Sequence, residues 1–211
     1  MKKLCLLITA IFLLTFNAAQ AQIGKGTIMT GIASTMSLGG AWGSEPFSVG
    51  FFSREDFKET KLNLLPSVRI FPLERVAVGL TLIETLATEE SSTLDTEQTQ
   101  NLLGGGPGIT YYYPLSNLYV VGEFNLIIAR ETNKYKYGTS EYEDNYNVFA
   151  MEWLVGIVKA LGEHATLDIL GGASRASWKP LDGAGNGTDV CLGGIIRARC
   201  TICFNSGLFG E

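Results

Sequence analysis

Between residues 61 and 82 the chain reads KLNLLPSVRIFPLERVAVGLTL, and its apolar residues alternate. Leu62, Leu64, Pro66, Val68 and Ile70 share one parity, as do Val76, Val78, Leu80 and Leu82 after an interruption. The other parity holds Asn63, Ser67, Arg69, Ala77, Gly79 and Thr81, with Leu65 and Phe71 among them. A period of two is that of a strand, whose successive side chains point to opposite faces. The stretch predicts two strands joined by a tight turn, greasy on one face and small and polar on the other.

The same alternation marks eight segments, roughly 26–38, 61–71, 76–87, 102–113, 118–129, 147–158, 165–174 and 189–204. Helical periodicity is nearly absent. The connections alternate in length. Three are tight: Pro72 to Arg75, Pro114 to Asn117 and Lys159 to His164. Proline directly after an aromatic, as in Phe71-Pro72 and Tyr113-Pro114, predicts position i+1 of a type I turn. The others, about 39–60, 88–101, 130–146 and 175–188, read as long polar loops. Strand, tight turn, strand and long loop recur with a spacing near that between FPLERVAV and YPLSNLYV, which describes an up-and-down meander rather than a four-stranded propeller blade.

Parity also sorts the charges. The less apolar face of the segments carries Arg69, Glu123, Glu152, Asp168, Arg197 and Arg199 at mid-strand, three bases and three acids, and no Lys. Arginine's rigid fork of donors suits buried pairing with carboxylates. This set predicts a closed, neutral, hydrogen-bonded interior, a lumen charge network. Two architectures accommodate such strands. A soluble barrel or sandwich turns the apolar face inward. A membrane barrel turns it toward lipid and fills its lumen with small and polar residues. Three features favour the second. The inner face is rich in Gly, Ala, Ser and Thr. Strands of 11 or 12 residues tilted near 40° cover roughly a hydrocarbon core. Tight turns at one end and long loops at the other are the usual asymmetry of outer-membrane barrels. The aromatics Phe71, Tyr111, Tyr113 and Tyr119 at the tight-turn end, with Tyr146, Phe149 and Trp153 at the loop end, are expected to form interfacial girdles. The expected fold is all-β, an eight-stranded antiparallel up-and-down transmembrane β-barrel.

The first residues agree with this destination. Lys2 and Lys3, an apolar run from Leu4 to about Phe16, and Ala19-Gln20-Ala21 form the three parts of a secretory signal. The expected organisation is a signal peptide at 1–21 and one barrel domain at 22–211. Removing the two leader lysines takes the net charge from −5 to −7. An acidic chain without basic clusters argues against nucleic acid as a partner. Cys191, Cys200 and Cys203 are an odd set, and Cys200 and Cys203 fall on opposite faces of a strand, which argues against a redox or metal pair.

Catalytic chemistry finds little support. Nucleophilic catalysis by Ser usually needs a nearby base, and the only histidine, His164, falls in a tight turn. The three interior carboxylates read as partners of the arginines rather than as acid and base. GGGPG at 104–108 lacks the Lys-Ser/Thr of a phosphate loop and lies within a strand. No catalytic residue, cofactor or metal is expected. An eight-stranded lumen is about filled by its own side chains, so the barrel reads as plugged.

The stretches LLPSVRIFPLERVAVGL, GPGITYYYPLSNLYVVGEF and VGIVKALGEHATLDILGG resemble the small outer-membrane β-barrel family of Gram-negative bacteria, often labelled porin-family. The resemblance implies location in the cell outer membrane, periplasmic termini and long loops outside the cell. It implies outer-membrane lipid and the barrel-assembly machinery as partners, and Phe204 as the C-terminal assembly signal, here followed by Asn205 to Glu211. The expected role is structural, or binding of an extracellular partner through the loops. The alternatives are a narrow channel for small or hydrophobic solutes and a soluble exported barrel holding an apolar ligand.

Overall fold

The computed structural model describes residues 23–40, 50–54, 57–91, 96–116, 118–162, 164–181 and 189–205. The expected signal peptide and the tail beyond Asn205 lie outside the described residues. Among the described residues nine strands form one sheet: β1 (Thr27–Gly40), β2 (Gly50–Arg54), β3 (Phe57–Leu73), β4 (Val76–Ser91), β5 (Thr96–Leu115), β6 (Leu118–Tyr137), β7 (Ser140–Ala160), β8 (Ala165–Pro180) and β9 (Asp189–Asn205). Neighbours pair in the order β1-β9-β8-β7-β6-β5-β4-β3-β2, and β1 also pairs with β3. That last pairing closes eight antiparallel strands into a ring, with β2 a short addition to the far end of β3. Closure removes the exposed edges at which sheets otherwise associate.

Hydrogen-bonded partners lead from Val76 through Tyr111, Gly122, Val155, Gly171, Ile196 and Met36. The β1–β3 register then continues to Leu62, whose partner on β4 is Leu86, ten residues above the start. Such a stagger tilts the strands by about 40° to the barrel axis.

Parity works as the alternation predicts, with apolar residues outside. Leu80 is 62% exposed, Val155 65% and Ile128 67%, while Arg197 inside is 1% exposed. The strands of the ring therefore have an outward apolar side and an inward mixed one. Gly79 shows how the narrow interior admits large groups: a Cβ on it would stand 2.7 Å from Cγ of Arg69, its partner on β3.

Three expectations are corrected. The segments at 88–101 and 130–146 are largely strand rather than loop. β4 and β5 stay in register to Ser91 and Thr96, and β6 and β7 to Tyr137 and Ser140. Alternation continues there with polar residues on both sides, so no hydrophobic period shows. Second, the prolines do not occupy turn position i+1. Pro72 lies at a register irregularity near the end of β3, and Pro114 pairs with Tyr119 at the rim. The chain turns beyond them, where Arg75, three residues after Pro72, and Ser116, two after Pro114, take φ of 70° and 54°. A proline's fixed φ and missing N–H fit a bulge or a strand end. Third, the girdles are incomplete. Phe71 is fully buried, Tyr119 packs partly buried against the interior cluster, and Tyr146 has inward parity. Trp153 sits at mid-height, with its ring 5.8 Å from that of Phe124. Tyr111, Tyr113 and Phe149 remain on the outer face, joined by Phe204.

Candidate functional site

The barrel interior is built in layers, which a walk along single strands shows. Inward residues of β3 run Phe71, Arg69, Ser67, Leu65, and those of β6 run Val121, Glu123, Asn125, Ile127. Phe71 and Val121 belong to one buried apolar cluster, with Met29, Tyr112, Val158 and Leu170. Leu65 and Ile127 belong to another, with Ile83, Leu102 and Val148. A polar layer lies between these clusters, and all six expected network residues are in it.

Glu123 is its centre. One of its oxygens, Oε1, lies 3.0 Å from Nη2 of Arg69 and 3.5 Å from Nη1 of Arg197, and the other accepts from Nη1 of Arg199 at 2.8 Å. Arg197 donates to Glu152 at 2.6 Å and to the hydroxyl of Thr35 at 3.0 Å. Arg199 donates through Nε to Asp168 at 2.6 Å, and Thr166 donates to the other oxygen of Asp168 at 2.9 Å. The Asn125 amide bridges Glu123 and Glu152 at 2.9 and 3.1 Å. The acids come from β6, β7 and β8 and the arginines from β3 and β9, so the layer ties together much of the ring. Nη2 of Arg199 is buried and has no hydrogen-bond partner among the described residues. Replacing such a set with well-packed apolar groups is often neutral, while removing one member strands its partners at a cost of about 3–5 kcal/mol.

Sequence reasoning missed a second polar layer nearer the loop end. Trp178 donates to Glu131 at 2.7 Å, Asn133 donates to the same carboxylate at 2.8 Å, and Asn63 donates to Thr85 at 2.9 Å. Lys61 is buried with inward parity at the start of the 61–71 segment, outside the mid-strand positions at which no lysine is expected. The same parity rule identifies Lys61 and Glu131, but both stood at or beyond the ends assigned to their strands. Lys61 and Glu131 add one base and one acid to the six of the first layer.

Glu152 and Asp168 each meet an arginine at 2.6 Å, and both are fully buried. His164 is an exposed residue of the β7–β8 turn, and its backbone carbonyl accepts from Cys203. Cys200 faces outward and Cys203 is buried inside, both as free thiols, while the side chain of Cys191 lies outside the described residues.

Beyond the barrel body, β6 and β7 continue as a hairpin. A strand tilted near 40° crosses a 30 Å core in about 12 residues. β6 has 20 and β7 has 21, so several residues of each project past such a core. Gly138, with φ of 56°, makes the two-residue connection between Tyr137 and Ser140. Tyr135, Tyr142 and Tyr137 stack across the strands, with centroids 5.0 and 5.6 Å apart. Burial pushes the Tyr135 phenol up to about 12, with Tyr146, Asp144 and Glu131 adding to the effect. A hydrogen bond with Tyr137 raises Tyr142 as well. On this projection a groove of about 490 Å³ is lined by Glu97, Lys134, Lys136, Glu141 and Glu143, with Thr99, Tyr135 and Tyr142.

No protein-family model matches the chain, and no curated protein matches it in sequence. Among solved structures it is similar to the N-terminal β-barrel domain of Pseudomonas aeruginosa OprF (11% identity, TM-score 0.44, covering 86% of this chain and 99% of that one). It is similar also to Ail, the attachment invasion locus protein of Yersinia pestis (14%, 0.45, 85% and 99%). A third is the outer membrane protein OprG of Pseudomonas aeruginosa (12%, 0.40, 89% and 100%). The closed ring of eight strands is established by its own pairing.

Proposed function

We propose that this chain is an integral protein of the cell outer membrane, an inert plugged barrel that displays its projecting hairpins for binding at the cell surface and performs no catalysis. One observation carries the reading: the outer face of a closed barrel is largely apolar, while Arg69, Arg197 and Arg199 are sealed inside with their carboxylate partners. In water this arrangement would expose an apolar belt around the whole ring, far beyond what soluble proteins tolerate. In lipid it satisfies every strand. The two apolar layers above and below the charged one support a plug rather than a diffusion channel. The stacked tyrosines and the groove on the projection support binding there, since surface segments on a rigid scaffold are where binding residues concentrate. Phe204, outward on β9 at the tight-turn end, is the residue offered to the assembly machinery.

The test is fractionation of cells expressing the full chain, then electrophoresis with and without boiling. Recovery with outer membranes and a heat-dependent mobility shift are expected, and planar bilayers should show no steady conductance. A soluble periplasmic protein would refute the membrane reading. Steady conductance would leave the barrel standing and refute the plug.

A further inference from the structure

Two charged side chains interrupt the upper part of the outward apolar face: Glu84 on β4, between Leu82 and Leu86, and Arg175 on β8. Both are exposed. Among the described residues neither takes part in an ion pair within the chain. A charge on the lipid side costs most near the middle of the bilayer and little at its rim, so two unpaired charges inside the rim call for a partner.

The register puts them at one height on opposite sides of the barrel. Four hydrogen-bonded steps lead from Val76 on β4 through Tyr111, Gly122 and Val155 to Gly171 on β8, half of the eight-step circuit. The full circuit climbs ten residues, so Gly171 stands five above Val76. Glu84 is eight residues up β4 from Val76, and Arg175 is four up β8 from Gly171. Their levels differ by one residue, about 2.5 Å along the axis of a barrel tilted near 40°.

The surfaces beneath them also correspond. Below Glu84, Val68, Ile70, Val78, Gly79 and Leu80 line an open apolar groove of about 350 Å³ on the β3–β4 face. Below Arg175, the exposed Val155, Ile157 and Ile169 form a ridge on the β7–β8 face. The same count along the register places this ridge within the levels that the groove spans.

We propose that copies of this chain associate side by side in the membrane, the β3–β4 face of one barrel against the β7–β8 face of the next, with Glu84 opposite the neighbouring copy's Arg175. The inference rests on the membrane reading above. Lipid tails are as apolar as leucine, so apolar contact alone brings little association there. Close packing and polar pairing decide it, and a charge pair shielded from water attracts more strongly than one in solvent. This chain supplies both charges at a single level, which favours a second copy over a lipid headgroup, since an anionic headgroup at Arg175 would leave Glu84, on the opposite side of the barrel, without a partner. The two faces are half a circuit apart, so the contact is head-to-tail and does not close on itself. Rows of barrels follow, rather than dimers.

The test is energy transfer between full-length mature copies labelled at the amino terminus with donor or acceptor and reconstituted in phosphatidylcholine vesicles. Wild type is compared with Glu84→Arg, Arg175→Glu and the double reversal, each first shown to be folded by its heat-dependent mobility. Each single reversal should lower transfer by roughly threefold or more, because like charges then face each other. The double reversal should restore it, as should mixing the two single variants. Unchanged transfer in the singles overturns the proposal, and so does a loss that the double does not recover. If wild type is folded and membrane-inserted but gives no transfer above that of dilute monomers, lateral association fails while the membrane reading stands. If wild type does not insert, both fail.

Discussion

The barrel interior and the projecting β6–β7 hairpin both hold acid–base pairs between strands, and their surroundings make them unequal. Inside, Arg199 meets Glu123 at 2.8 Å with side chains 1% and 0% exposed. On the projection, Lys134 meets Glu143 at 3.7 Å with side chains 67% and 48% exposed. The outer pair spends side-chain freedom to hold a contact that water and salt weaken, so it contributes little. The inner groups have no water to fall back on, so each depends on all the others. A buried ionic layer is therefore weak evidence of added stability and strong evidence of mutual dependence.

The largest break in that comparison is Glu123→Ala. It leaves three guanidinium groups without their shared carboxylate, and a loss of about 3–5 kcal/mol is expected. Urea unfolding in detergent micelles reads this directly. A loss under about 1 kcal/mol would mean that water reaches the layer. A sharper cut compares Arg197→Met with Arg197→Met combined with Glu152→Met. The double change should cost less than the single, because it removes both ends of the 2.6 Å contact. Simple additivity would refute mutual dependence.

Effects on the projection should be smaller and local. Tyr142→Ala removes both ring contacts of the stack and should cost the hairpin about 0.5–1.5 kcal/mol. Faster proteolysis near Gly138, with the heat-dependent mobility of the barrel unchanged, is the expected pattern. Alkali should act at the same place. The Tyr135 phenol is held above its ordinary value, up to about 12, so the neutral form is favoured in the folded hairpin. The stability this contributes is complete below pH 10, the ordinary value, and disappears as pH rises through about 12. Tyr135→Phe should remove that alkaline step from a proteolysis profile. Smallest of all, Glu143→Ala should shift stability by less than about 0.5 kcal/mol, and 1 M salt should erase the difference.

Much of this architecture was legible because strand parity is a local property. Once Leu62 and Val68 fall on one face and Asn63 and Arg69 on the other, no distant part of the chain can separate them. The six ionic residues could be named for the same reason, each as an inward position on its own strand. Lys61 and Glu131 obey the same rule, but they escaped because the apolar alternation fades where both faces turn polar. The hairpin escaped with them. KYKYGTSEYEDNY carries the composition of a loop, and only the cross-strand pairing of Lys134 with Glu143 and Tyr135 with Tyr142 makes it a strand pair.

What the sequence determined by itself was the alternation, the balance of three bases and three acids at the six mid-strand inward positions, and the direction each side chain faces, since all three follow from chain order and a period of two. Only the tertiary structure decided that Glu123 gathers three arginines, that apolar layers seal the charges on both sides, and that Glu84 and Arg175 come level across the barrel. Those relations depend on the stagger at which the ring closes. That stagger is settled when β1 meets both β9 and β3, a pairing between residues far apart in the chain that no local pattern encodes.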